Sequence, residues 1–186
     1  MSFDLAAALR RVKPQRREPQ LSRRADTDLH RLEAAIGPGP ELLLDTCVYI
    51  DVLQDRAPAV LDEFLSARIV NHSTVALAEL THVFGRLDPA HPRTRSTLQQ
   101  LSGLVADIPA HRLWAPGERA WGEAGMLTGL FARLTSQAAG QSVLNDAILL
   151  LQAVETGCQL LTRNTTDFDR LQQLAPQANV VFYRTS

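Results

Sequence analysis

SVLNDAILLLQAVETGCQLLTRNTTDF, Ser142 to Phe168, sets a long apolar run beside a short one, with a single glycine between them. Ser142–Thr156 is long enough for a helix, and Gly157 suits the left-handed residue that commonly closes one. CQLLT then reads as a short buried strand, and RNTTDFDRL as a loop leading into a short helix. The pattern helix, glycine, buried strand, polar loop is half of an α/β unit. The fold follows if it recurs elsewhere in the chain.

It does. Upstream, ELLLDTCVYI (41–50) opens with a short buried strand. APAVLDEFLSA has helical spacing at Val60, Leu61, Phe64 and Leu65, and RIVNH is a second strand. STVALAELTHVFGRL starts on a Ser or Thr cap and is helical. DPAHP breaks it, and an amphipathic stretch over Leu98, Leu101, Leu104 and Val105 follows. HRLW is a third strand, GERAWGEAGMLTGLFARL a helix, SQAAGQ a loop and NVVFYR a last strand. Helices alternating with short buried strands predict an α/β fold of three layers, a central, mostly parallel sheet flanked by helices on both faces.

Gly37–Glu41, GPGPE, marks the clearest boundary, because neither helix nor central strand accommodates two Gly-Pro pairs. Residues 1–40 are therefore expected to be a basic N-terminal extension and residues 41–186 a single catalytic-size domain. The extension carries eight basic and five acidic side chains, a net of +3, which leaves −4 for the rest of a chain whose total is −1. Arg10, Arg11, Lys13, Arg16 and Arg17 are its densest basic cluster, either a solvated face or a grip on a polyanion backbone. No apolar run is long enough to span a membrane, and the N-terminus has the wrong order of charge and apolar residues for a secretory signal. Cys47 and Cys158 form no CxxC pair and read as free thiols of a reducing cytoplasm.

The sequence contains no phosphate-binding glycine loop of the GxGxxG or GxxxxGK[ST] type, and the five histidines have no metal-ligand spacing. Trp114 and Trp121 flank a predicted loop and read as packing residues, with base stacking the other use.

Four carboxylates stand where folding alone would not place them. Asp45 ends the first strand and fits a turn, a helix cap or a working acid equally. Glu79 lies on the apolar helix face of Ala76, Leu80 and Val83, where it must snorkel, pair or bind something. Asp146 opens an almost wholly apolar helix, where the helix dipole favours an acid in any case. Asp167 follows the QLLT strand, either as a cap for DFDRL or as a fourth acid. In parallel α/β sheets ligands bind at the carboxyl ends of strands, which is where Asp45 and RNTTD fall. Converging carboxylates need cations, and oxygen donors select Mg²⁺ or Mn²⁺.

LLLDTCVYID, STVALAEL and LNDAILLLQAVETGCQLLTRNTTDF resemble the three sequence blocks of PIN-domain ribonucleases, most closely the VapC toxins of bacterial toxin–antitoxin pairs. The likeness runs from about Leu42 to Tyr183. It implies a PIN-like fold and a metal-dependent endoribonuclease using Mg²⁺ or Mn²⁺ on RNA. Asp45, Glu79, Asp146 and Asp167 would be the catalytic and metal-holding acids, supported by Thr46, Thr162 and Asn164. The fourth acid varies in placement in that family between the positions of Asn164 and Asp167, and only Asp167 is acidic here. Such toxins are homodimers silenced by a small antitoxin protein. Cys47 stands where relatives carry Asn or Ser, and the extension of roughly 40 residues departs from the family pattern. The alternative is a catalytically silent PIN-like module that binds metal, RNA or a protein. A haloacid-dehalogenase phosphatase also begins from an aspartate after a strand, but needs a second one where Cys47 stands.

Overall fold

The computed structural model describes residues 3–17 and 20–185. Helix α1 (Leu5–Val12) precedes the first strand. The order then runs β1 (Leu42–Leu44), α2 (Thr46–Leu53), α3 (Val60–Ser66), β2 (Val70–Ser73), α4 (Thr74–Arg86), α5 (Thr94–Ala106) and β3 (Leu113–Trp114). It continues with α6 (Glu118–Thr135), α7 (Gln141–Thr156), β4 (Gln159–Thr162), α8 (Thr165–Leu174) and β5 (Asn179–Phe182). The five strands form one sheet in the order β3-β2-β1-β4-β5, every pairing parallel. The three-layer α/β fold expected from the sequence is present.

Alternation along the strands divides the core in two. Leu43, Leu160, Val180 and Phe182 join a cluster with α6, α7 and α8, whereas Leu42, Leu44, Leu161 and Val181 join one with α2 to α5. The central strands β1 and β4 therefore carry apolar residues on both faces, which is why LLL and QLLT show no polar alternation. Gly157 closes α7 at φ 71°, and its N–H bonds the Ala153 carbonyl. That left-handed cap, available to glycine without a Cβ clash, drops the chain directly into β4.

Helix α2 begins immediately after Asp45, so the apolar residues of TCVYI belong to a helix rather than to a longer strand. The sequence reading gave TCVYI no element of its own, because Thr46, Val48, Tyr49 and Ile50 suit a strand as well as a helix. Among the described residues no helix is long and apolar enough to cross a membrane, and Cys47 and Cys158 are free thiols.

The segment before β1 lies against the rest of the chain. Leu29 and Leu32 are buried, one in each core cluster, and α1 packs on α6. The Phe182 N–H bonds the His30 carbonyl, and Arg31 makes a parallel bridge with Phe182, so the segment covers the outer edge of β5. Arg24 binds the buried Asp169 through both its backbone N–H (2.8 Å) and its Nε (2.6 Å). At the GPGPE boundary Arg68 reaches back to the Gly37 carbonyl (3.0 Å) and stacks over Phe64.

Leu32 is fully buried. Leu32→Ala is expected to lower unfolding free energy by about 2–5 kcal/mol, as for a leucine removed from a packed core. Urea unfolding of the full chain measures this; a loss under about 0.5 kcal/mol would mean that the segment is not anchored there.

Candidate active site

The sheet order changes direction between β1 and β4, and the crevice beyond their carboxyl ends is where an open parallel sheet accepts a ligand. Asp45 leaves β1 there and Thr162 ends β4. Asp45 is 5% exposed, and its side chain makes no capping hydrogen bond to α2, which removes the cap as the purpose of the carboxylate. Its Oδ2 accepts instead from Thr162 Oγ1 (2.6 Å) and Cys47 Sγ (2.9 Å).

Glu79 comes from α4. Ser73 caps that helix at the Val75 N–H and also donates to Gln152 of α7 (2.5 Å), which sets α4 against α7. Glu79 is consequently held on both oxygens, by Thr46 Oγ1 (2.5 Å) and by Asn145 Nδ2 (2.6 Å). Asp146, the next residue, is 9% exposed and lies in the second turn of α7 rather than the first, because the helix begins at Gln141. Asn164 caps α8 by accepting the Asp167 N–H (3.2 Å) and donates Nδ2 to both Asp146 Oδ2 and Asp167 Oδ2 at 3.1 Å. The cap that the sequence offered to Asp167 is thus made by Asn164, and Asp167 keeps its carboxylate free of that task. Thr46, Thr162 and Asn164 each bind one or more of the four acids.

The sequence reading passed over Asn145 and Cys47 as carboxylate holders. Asn145 directly precedes Asp146, and only the crossing of α7 with α4 turns its amide onto Glu79. It also passed over Asp51, which is completely buried and binds Tyr183 (2.8 Å), Arg163 (2.6 Å) and Arg56 (2.7 Å) behind the site. That network ties α2 to the ends of β4 and β5, bracing the strand ends that carry the acids.

The buried acids fall into two groups. Asp51, Glu123 and Asp169 each pair with arginine: Arg56 and Arg163, Arg11 and Arg119, and Arg24. Among the described residues, no Lys or Arg pairs with Asp45, Glu79, Asp146 or Asp167. Burial raises the Asp45 carboxyl, against hydrogen bonds from Cys47 and Thr162 and with the Glu79 charge adding to the rise. Burial, followed by the charges of Asp45, Asp167 and Glu79, pushes Asp146 up to about 9 from an ordinary 3.8. Asp51, despite its burial, is held low by Tyr183 and its arginines.

This donor chemistry fits a hard divalent cation, since it is made of carboxylate oxygens whose mutual repulsion no cationic side chain among the described residues offsets. It is not a finished cage. Among the described residues no three His, Cys, Asp or Glu side chains stand in an arrangement that would hold a metal ion as they are. Hydroxyls and amides occupy the carboxylate oxygens, and Mg²⁺ typically takes only one or two carboxylates while keeping water.

The basic residues of the extension lie elsewhere. Arg11 is spent on Glu123, and Arg17 bonds the Val12 and Leu174 carbonyls. Arg10, Lys13 and Arg16 line a separate groove with Leu9 and Gln15, to which none of the four acids contributes.

No protein-family model matches the chain, and no curated protein matches it in sequence. Solved structures do match. VapBC2 from Rickettsia felis, bound to a DNA fragment from its promoter, superposes with a TM-score of 0.55 at 14% identity, over 76% of this chain and 97% of that one. DNA-bound VapBC from Salmonella typhimurium gives 0.54 at 17%, over 76% and 97%. FitAcB from Neisseria gonorrhoeae gives 0.53 at 19%, over 76% and 96%. The fold is PIN-like. At these identities the likeness carries the PIN-like fold alone, and the chemistry has to come from the four acids.

The raised Asp146 predicts an inverted pH dependence. Between about pH 4 and pH 9 the folded, cation-free protein holds a proton that the unfolded chain releases, so stability falls as pH rises. In EDTA, Asp146→Asn should melt above wild type at pH 8, with the gap closing toward pH 4. Scanning calorimetry across that range checks it; a variant that melts below wild type at pH 8 would show that the carboxylate is stabilised rather than strained.

Proposed function

We propose that this protein is a metal-dependent endoribonuclease that hydrolyses RNA phosphodiesters, acting as a VapC-like toxin. The observation that carries the reading is a set of four carboxylates, Asp45 at the end of β1 and three on helices beside it, two of them deeply buried and none paired with an arginine or lysine among the described residues.

Asp45 and Asp146 would hold Mg²⁺ or Mn²⁺ most directly, with Glu79 and Asp167 completing the site through waters or a second, weaker metal. Bound there, the ion supplies positive charge that makes water more acidic and offsets the charge building on phosphate. The chain's own part is positioning. Thr162 and Cys47 fix the Asp45 carboxylate, Thr46 and Asn145 fix Glu79, and Asn164 spans Asp146 and Asp167. Each acid is thus held by neutral donors, which orient it without cancelling the charge that attracts the cation. To hold an ion, Asp146 would have to release the proton that burial and its acidic neighbours favour, so affinity should rise with pH. A protein antitoxin and a second copy of the chain are the partners the VapC likeness supports. The VapBC neighbours, captured as complexes on DNA, are consistent with that assignment.

A second reading is a silent PIN-like binding module, favoured by the absence, among the described residues, of a ready-made metal-holding group. Cleavage assays separate the two. With Mg²⁺ and a structured RNA, wild type should cut, EDTA should stop it and Mn²⁺ should restore it. Asp45→Asn and Asp146→Asn should abolish cutting, and Asn145→Ala or Thr162→Val should lower it roughly 10–100-fold, the usual loss when a carboxylate's holder is removed. RNA bound without turnover would support the silent module, and full cutting in excess EDTA would reject the metal-dependent mechanism.

A further inference from the structure

Trp121 does not pack as its sequence context suggested. Trp114 lies partly buried against the core, but Trp121 is 52% exposed on α6, while its neighbours Ala120 and Ala124 point into the core. The Trp121 indole is therefore accessible from solvent. It forms one wall of a groove of about 720 Å³ between α4, α6 and the start of α7. Val75 and Ala78 form apolar surface in that groove, and His82, Arg86 and Gln141 supply polar groups. Glu79 and Asn145 line it too, so the groove opens directly onto the acid cluster. Arg86 is exposed and, among the described residues, pairs with no acid.

We propose that this groove is a nucleotide subsite in which a base of single-stranded RNA, adjacent to the scissile phosphate, stacks on Trp121 while Arg86 meets a backbone phosphate. The inference rests on the nuclease reading above and adds where the substrate lies. Three features favour a nucleotide over a protein segment. The groove is continuous with the cluster of four acids. Its volume lies within the range of sites that enclose small molecules, roughly 300–1,000 Å³. It also combines a flat π-face with an unpaired guanidinium, the combination used for single strands, where stacking is indifferent to base identity. Gln141 and His82 are positioned to add preference for one base edge over another. The basic residues Arg10, Lys13 and Arg16, in their separate groove, are not needed for this contact.

The test uses the full chain. Asp146→Asn in Mg²⁺, expected not to cut, is titrated with a ten-nucleotide oligoadenylate while tryptophan fluorescence is followed. Stacking should quench it, and adding Trp121→Phe should remove the quench while leaving the Trp114 signal. Trp121→Ala should weaken binding roughly 5- to 150-fold, the range expected for one lost stack. In the cutting protein the same change should raise KM more than it lowers kcat. Arg86→Gln should weaken binding and reduce its salt dependence. Because Trp121 is half exposed, these variants should fold as wild type does, which circular dichroism verifies. No quench, a quench that survives Trp121→Phe, or wild-type affinity in Trp121→Ala would each overturn the subsite. A change in oligomeric state in Trp121→Ala with RNA affinity unchanged would overturn it in favour of a protein interface. Failure of the nuclease reading looks different: wild type would cut no RNA while the Trp121-dependent quench persisted.

Discussion

Like charges placed together in a protein interior must be neutralised, protonated or held apart. This chain treats its buried acids in two ways. Asp51, Glu123 and Asp169 receive arginines and become fixed points of the architecture. Asp45 and Asp146 receive hydroxyl, thiol and amide donors, with Glu79 and Asp167 close enough to raise the Asp146 carboxyl further. On the metal-dependent reading, an arginine beside Asp146 would relieve the repulsion and would also oppose a cation. The tension among the four acids is therefore the condition for the site.

The fold carries that tension by bracing each acid from a different element. Asp45 is held at the end of β1 by the end of β4, and Glu79 on α4 is held by the first turns of α2 and α7. Asp146 and Asp167 are joined through the Asn164 cap of α8. Behind them, the Asp51 network locks α2 to Arg163 and Tyr183. The neutral holders and the arginine-paired acids build this frame from the chain's own residues.

The N-terminal segment adds a structural task to its charge. Arg24, Arg11 and Arg17 bind groups on α6 and α8, while Leu29 and Leu32 enter the two cores. Its parallel bridge to Phe182 covers a sheet edge that would otherwise be open to another strand. Arg10, Lys13 and Arg16 remain on the outside.

The sequence by itself determined the alternation of helices and buried strands, the glycine that closes α7 and the residue types at the ends of β1 and β4. These are local properties: apolar period, run length and cap chemistry act within a few residues of chain. It also picked out the four acids, because a carboxylate on an apolar face conflicts with its own neighbourhood. What it left open was decided by contacts distant in the chain. Whether Asp45 caps α2 or faces the crevice depended on Thr162, 117 residues away. Whether Asn145 points to solvent or to Glu79 depended on the packing of α7 against α4. The exposure of Trp121 depended on which face of α6 the core claimed, and the arginine partners of Asp51, Glu123 and Asp169 came from segments that local pattern does not connect. Periodicity says which face of an element is apolar; only the packed structure says what stands opposite, and for charged groups that opposite partner sets both the pKa and the function.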